Sequence, residues 1–190
     1  MQRGKRSSDD FSAGAAAPAL AMSKISVTES MTPEEFCSEL SKIFQVLATE
    51  VALFRAEDGQ LKFLFPVELK TAGSLPLSGG SAVASHTAIG RKAERYNNFL
   101  QVKHASIFES VKLGHLGDNT PPEKPIQKLM SAPIMDAKGK VLGVVQICRK
   151  GYDTISSGPD FTLDQLHHLE RAAEMAAQAA FMRKSEPPAK

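Results

Sequence analysis

The sequence is poor in cysteine, with only two among its 190 residues. Cys37 and Cys148 are not part of a C-x-x-C pair, and two thiols are too few for a disulfide framework or a cysteine-based zinc site. Each has apolar neighbours along the chain, which is typical of a small side chain packed in a core. We therefore expect two buried thiols, and no His/Cys/Asp spacing in the sequence predicts a metal site.

The chain also has little net charge and no long apolar run. Its 23 Lys and Arg residues nearly balance 21 Asp and Glu residues, which leaves a formal net charge of +2. That charge is too small, and the cations too scattered, to indicate a nucleic-acid partner. No apolar stretch approaches the roughly 20 residues that a membrane span needs. We expect neither nucleic acid nor membrane as a partner, and a cytoplasmic location.

Length and composition predict one domain with short, unstructured ends. The first residues are rich in alanine, but Asp9, Asp10 and Pro18 interrupt them, which argues against a signal peptide. A chain of this length is enough for one domain with a proper core but short for two. The expected organisation is a disordered tail over residues 1–31, one domain over 32–183, and a disordered end over 184–190.

Helices are predicted near both ends of this domain. The motif TPEE at residues 32–35 combines an N-cap, a proline at the first helical position and a glutamate three residues after the cap. An apolar stripe follows it: Phe36, Leu40, Ile43 and Leu47. The last helix is predicted to start at Phe161 and Thr162. Its stripe consists largely of alanine, which permits close helix approach: Leu166, Leu169, Ala173, Ala176 and Ala180.

Two hairpins are predicted between the helices. Asp58-Gly59 is a strong turn signal, and alternation after it places Leu61, Phe63 and Phe65 on one face of a strand. The second hairpin is SAPIMDAKGKVLGVVQICRKG, residues 131–151. Its second strand is apolar on both faces, which predicts a central strand covered on both sides. The order of elements predicts an α+β fold, with one antiparallel sheet, terminal helices on one face and irregular segments on the other.

The second hairpin, followed by FTLDQLHHLERAAEMAAQAA, resembles the C-terminal half of a GAF domain. VALFRAEDGQLKFLF resembles the opening strands of that family, and residues 77–90 correspond to its first pocket helix. The resemblance covers about residues 32–183. It implies a GAF/PAS-like, six-stranded antiparallel sheet with the N- and C-terminal helices on one face. Pocket-covering loops and short helices would lie on the other face.

The resemblance leaves the ligand open. Cyclic-nucleotide members carry an Asn-Lys pair where this chain has Arg149-Lys150, and acidic residues where it has Gln165 and Leu166. Bilin attachment and free-methionine-sulfoxide reduction need reactive pocket cysteines, which this sequence lacks. A haem could use His86 or His104 as an axial ligand, although a lone histidine in such a segment is more often a surface group. The cofactor is therefore unknown, and the protein is expected not to be an enzyme.

One hypothesis is a sensory domain that binds a small molecule and signals through a separate effector protein. Small-molecule sites are mostly apolar with a few polar groups, and the residues expected to line or cover the pocket have this mixture. They are Phe63, Phe65, Ser81, Val83, His86, Phe99, His104, Phe108 and Ser131. The aromatic members could equally fill the space and leave no cavity.

The alternative hypothesis is a ligand-free module for dimerisation or protein–protein interaction. GAF relatives often pair through their terminal helices, and both predicted helices here carry heptad-like stripes. A homodimer seam would then consist of Leu40, Ile43, Leu47, Leu169, Ala173, Ala176 and Ala180. The same stripes could instead pack the helices onto their own sheet.

Overall fold

The computed structural model describes residues 27–71, 73–101 and 124–183. Its helices and strands, in chain order, are α1 (Pro33–Phe44), β1 (Val51–Glu57), β2 (Gln60–Phe65), β3 (Ser74–Pro76), α2 (Val83–Gly90), β4 (Glu94–Tyr96), β5 (Ile126–Met135), β6 (Val141–Lys150) and α3 (Leu163–Ala176). Short 3-10 helices span Ala48–Glu50, Val67–Thr71, Phe99–Gln101 and Ala180–Met182. Most of the two predicted disordered ends lies outside the described residues. Among the described helices, none has both the length and the apolar character required to span a bilayer.

Both terminal helices begin at a capping box. Thr32 Oγ1 accepts a hydrogen bond from the Glu35 N–H at 3.1 Å, and the Glu35 carboxylate accepts one from the Thr32 N–H at 2.9 Å. Thr162 and Gln165 repeat the arrangement at 3.1 and 2.9 Å. These bonds satisfy N–H groups that have no partner within the helix. The predicted starts of α1 and α3 are therefore confirmed.

We expect Thr162→Ala to lower the free energy of unfolding by about 1 kcal/mol, because the Gln165 N–H at the start of α3 loses its acceptor, Thr162 Oγ1. Urea titration followed by circular dichroism measures this difference. Thr154→Ala is the matched control, since Thr154 is exposed in the loop before α3. Equal losses in the two variants would show that the cap does not stabilise α3.

The six strands form one antiparallel sheet with the order β3-β2-β1-β6-β5-β4. β6 pairs with β1 on one side and β5 on the other, as its apolar sequence predicted. The β1–β2 hairpin turns at Asp58 and Gly59, both with positive φ, which confirms the Asp-Gly prediction. We call the sheet face that packs against α1 and α3 the back face, and the face that packs against α2 the front face.

The predicted dimer stripe packs inside this chain, against the back face. Five of its seven side chains are buried in one core with strand residues such as Leu53 and Val145; they are Leu40, Ile43, Leu169, Ala173 and Ala176. Alanine allows α3 to lie close to the sheet, and α3 ends after 14 residues, short of Ala180. These five side chains are therefore not accessible to a second chain. Of the stripe, only Leu47 and Ala180 are exposed.

A β-bulge places Phe65 on the back face, contrary to the prediction from alternation. Leu53 pairs with Phe65, but the next residue, Phe54, pairs with Phe63, so Leu64 is an extra residue in β2. One extra residue reverses the alternation of faces beyond it. Phe63 therefore packs on the front face, whereas Phe65 packs against the back core and cannot line a front pocket.

Candidate functional site

The front face of the sheet is an apolar surface with α2 across it. β1, β5 and β6 supply its central residues, which we call the front floor: Ala52, Phe54, Leu129, Val144 and Cys148, all at most 3% exposed. α2 covers this floor with Val83, Ala84 and Ala88. Helix α2 is short and made of small residues, so its backbone can lie close to the strands.

Four polar side chains interrupt this apolar surface, and we call them the front polar cluster (Thr87, Glu94, Ser131 and Gln146). Thr87 Oγ1 on α2 lies 2.8 Å from Ser131 Oγ on β5, and both residues are fully buried. The Gln146 amide on β6 donates to Ser131 Oγ at 3.1 Å. Thr87 Oγ1 also lies 3.4 Å from the Glu94 carboxylate on β4. The cluster therefore joins α2 to three adjacent strands.

Two titratable groups lie at the outer edge of this cluster. His86 Nδ1 is 3.3 Å from the Glu94 carboxylate, and the imidazole is 55% exposed. Partial burial raises the pKa of Tyr96 to about 12, and the negative charge of Glu94 adds to this effect. Tyr96 also makes an edge contact with the Phe99 ring, with centroids 6.4 Å apart. Tyr96 is therefore neutral at physiological pH and can donate its phenolic proton.

The structure brings four of the predicted pocket residues together on the front side. Phe63, Val83, Phe99 and Ser131 are all buried there. The Phe63 ring lies 4.4 Å from the Phe54 ring, so it contributes to filling the front side. Ser81 is exposed in the segment before α2. His104 and Phe108 lie outside the described residues.

Three members of the front polar cluster were not predicted as site residues: Thr87, Glu94 and Gln146. Gln146 lies at a core-facing position of an otherwise apolar strand, and Thr87 lies in a helix of mostly small apolar residues. A polar residue in such a position needs a buried partner. That signal identifies each residue as unusual, but only the pairing of β5 with β6 shows that Ser131 and Gln146 are opposite each other.

Arg149 does not face the front site. The Arg149 guanidinium donates to the Phe44 carbonyl oxygen at 3.2 Å and lies 4.8 Å from the centroid of the Phe161 ring. Its burial among these groups lowers the pKa of Arg149, while the charge of Glu50 partly opposes the shift. Arg149 therefore joins the end of α1 to the start of α3.

The loop after β6 is held from the neighbouring strand instead. Lys128 on β5 is buried, and its ammonium group donates to the Gly158 carbonyl oxygen at 2.6 Å. The same nitrogen lies 2.8 Å from the Asp160 carboxylate. Lys128 therefore fixes the loop in a chain that has Gln165 and Leu166 where cyclic-nucleotide members have acidic residues. One lysine, on β5, anchors the loop to the sheet.

The described residues offer no cluster of three or more His, Cys, Asp or Glu side chains that could hold a metal ion. Neither cysteine forms a disulfide, and both are buried, as predicted. Cys37 belongs to the back core and Cys148 to the front floor. Burial raises the pKa of the Cys37 thiol, and the nearby charge of Glu34 raises it further. Cys37 therefore stays protonated and unreactive at neutral pH.

Solved structures with the same fold include GAF domains and free methionine-R-sulfoxide reductases. The GAF domain of a phosphoenolpyruvate-protein phosphotransferase from Coxiella burnetii superposes with a TM-score of 0.59 at 13% identity, over 87% of this chain and 94% of that chain. The GAF domain of the Acinetobacter phosphoenolpyruvate-protein phosphotransferase gives 0.54 at 14% identity, over 85% and 86%. Type II free methionine-R-sulfoxide reductase from Thermoplasma acidophilum gives 0.51 at 15% identity, over 85% and 92%. At these identities the likeness shows the fold alone.

Sequence comparison decides the family. No functionally curated protein matches the chain. The sequence profile of the GAF domain, however, matches residues 34–180, which include every helix and strand from α1 to α3 except the first residue of α1. This protein belongs to the GAF domain family.

Proposed function

We propose that this GAF domain is a non-catalytic sensor, which binds a small molecule on its front face and signals to a separate effector protein in the cytoplasm. The GAF family is typically sensory or regulatory, and the solved relatives include the GAF domain of a two-component sensor histidine kinase from Bacillus halodurans. The observation that carries the proposal is the front polar cluster, which places buried hydroxyl and amide groups in an apolar surface.

Burying this polar cluster costs desolvation free energy that an apolar cluster of the same shape would not. Hydroxyl and amide groups lose their water when buried, and apolar residues of similar shape would avoid that loss. Here Ser131, Thr87 and Gln146 are retained in the centre of an apolar face, and a few convergent polar groups in apolar surroundings are typical of ligand sites. Each hydroxyl can both donate and accept, so a ligand can exchange with existing bonds.

The same bonds supply a route for the signal. Thr87 is the contact between α2 and Ser131 on the sheet. A ligand group that takes over the bond to Ser131 releases this contact and favours a different position of α2. The helix is only eight residues long, and the residue that follows it, Arg91, has a positive φ. A small shift of α2 therefore changes the surface that an effector contacts.

The positions of the thiols support a non-catalytic role. Reductive chemistry by thiol exchange requires two cysteines that can approach each other. Cys37 and Cys148 lie on opposite faces of the sheet, and both are buried. The likeness to a free methionine-R-sulfoxide reductase therefore extends to the fold and not to this arrangement. Ser131, the buried front hydroxyl, is bonded to Thr87 and Gln146 and not to an imidazole.

Native mass spectrometry tests the proposal on the full chain purified from cells, before and after denaturation. We expect a non-covalent mass that disappears on denaturation. The double variant Ser131→Ala/Gln146→Leu should carry the bound mass on at most about one tenth as many molecules as the parent, since two buried ligand contacts are removed.

Ser157→Ala is the control, because Ser157 is a buried serine in the loop after β6 whose hydroxyl donates to the Thr154 carbonyl oxygen. It should keep the bound mass. A bound mass that is equally occupied in the cluster variant and the control would place the ligand elsewhere and contradict the proposal.

A ligand-free interaction module is the second candidate. The front polar cluster favours this candidate, because every buried polar side-chain atom in the cluster already has a hydrogen-bond partner within the protein. The Phe54–Phe63 contact also fills part of the front side. In this case native spectra show only the bare chain, and its mass gives the oligomeric state. A homodimer would have to use exposed groups such as Leu47 and Ala180.

A further inference from the structure

A concave surface lies at the C-terminal end of α2, near the β5–β6 turn. It is an open groove of about 520 Å³. Three segments line it: residues 77–78, the end of α2 with Arg91, and the turn from Lys138 to Val141. We call it the turn groove. Ser131 lies four residues, or about 13 Å along the strand, before the end of β5, whereas Thr87 directly precedes Ala88 of the groove.

The turn groove is basic. Its lining contains Arg91, Lys138 and Lys140 and no acidic residue. All three cations are exposed, and none of them makes an ion pair with another described residue. The carboxylate on the turn itself, Asp136, accepts hydrogen bonds from the N–H groups of Lys138 and Lys140, each at 2.9 Å. The three positive charges therefore lack a negative partner in this part of the chain.

The groove also has an apolar side. Ile89 is 55% exposed, and it lines the groove together with the half-buried Leu77 and Val141. The turn opposite is rigid, because Asp136 bonds two of its N–H groups and Gly139 supplies the positive φ that it requires. A partner would meet three exposed cations and one exposed apolar side chain.

We propose that the turn groove docks an acidic segment of a partner protein that carries an apolar anchor side chain. The inference rests on the proposed function in one respect: it names the surface for the effector that the proposed function requires. Charge complementarity selects an acidic occupant. A segment fits better than a small free anion, because the cations lie on two separate elements around an open groove and no buried polar side chain in its lining could grip a small anion.

The test uses a defined probe, a fluorescein-labelled eight-residue peptide with six acidic residues around a central leucine–phenylalanine pair. Fluorescence anisotropy with the full chain should show binding on the order of 100 µM at low salt, as for small transient interfaces, and weaker binding at high salt. Lys138→Glu combined with Lys140→Glu should weaken it by at least about tenfold, because attraction becomes repulsion. Ile89→Ser should weaken it about threefold to tenfold.

Two matched variants act as controls. Arg171→Glu changes an exposed cation on α3, and Ile155→Ser changes an isoleucine that is 89% exposed in the loop after β6. Neither should alter the affinity. Amide chemical shifts of the labelled chain should change at residues 88–91 and 138–141, and not in α3, which packs against the back face.

Absence of binding at low salt, or equal weakening in the controls, would overturn the proposal. A second pair of results would also overturn it: inorganic phosphate competes with the probe, and a probe with serines in place of its leucine–phenylalanine pair binds equally well. The groove would then be a site for anions in general. The failure of this docking would leave the front-face ligand mass unaffected, whereas failure of the sensor proposal would leave probe binding unaffected. The two outcomes are therefore distinguishable.

Discussion

Ala176→Glu is expected to unfold this protein rather than to separate two folded chains. Ala176 is fully buried in the back core, where α3 packs against the sheet. A carboxylate there has neither room nor a hydrogen-bond partner, so the loss in free energy of unfolding should be about 4 kcal/mol or more. That is a large part of the stability of an ordinary domain. Loss of the helical circular dichroism signal and of the cooperative thermal transition would show it.

Ala180→Glu is the matched control, because the same change is made four residues later at an exposed position. It should leave the thermal transition within about 2 °C of the parent, as surface substitutions usually do. A folded, monomeric Ala176→Glu variant of a parent that is dimeric would contradict the burial of α3 and restore the helix seam.

Gly143→Ala should be the second severe change, with an expected loss of about 3 kcal/mol or more. A Cβ atom at Gly143 would overlap the Phe54 carbonyl oxygen and come within 2.6 Å of Met182 Cε. Gly143 pairs with Arg55 on β1 and Ile134 on β5, in the centre of the sheet, so the strands cannot separate there without losing both ladders. Equilibrium urea unfolding measures the loss.

Gly90→Ala is the control for this change, because nothing lies within 4 Å of a Cβ atom added at the end of α2. It should be neutral or slightly stabilising, since alanine is the better helix former. If Gly143→Ala were within about 0.5 kcal/mol of the parent, the close approach of β1 to β6 would be wrong.

Helix α2 connects the two surfaces for which we propose functions. Thr87 lies within the front polar cluster, while Ile89 and Arg91 line the turn groove only two and four residues further on. A rigid eight-residue helix cannot move at one end without moving at the other. The proposed sensor and the proposed docking surface therefore share one moving part.

Local sequence patterns determined the starts of the terminal helices, the two hairpins and the α+β class. The starts of α1 and α3 depend on residues three apart, Thr32 with Glu35 and Thr162 with Gln165. The Asp58-Gly59 turn and the apolar run of β6 are equally local signals. Such interactions involve neighbours along the chain, so the sequence alone contains the information needed to predict them.

Tertiary structure alone decided which side chains meet. The bulge at Leu64 moves Phe65 to the back face. It arises from the pairing of β2 with β1, so the alternation of residues within β2 alone could not predict it. The stripes on α1 and α3 fit a dimer seam or an intramolecular core equally well by their spacing. Their burial against the sheet selects the core, because the hydrophobic effect depends on the surface that each helix meets rather than on its pattern. Likewise, Ser131, Gln146 and Thr87 are polar residues far apart along the chain, and only strand pairing and the position of α2 bring them into one cluster.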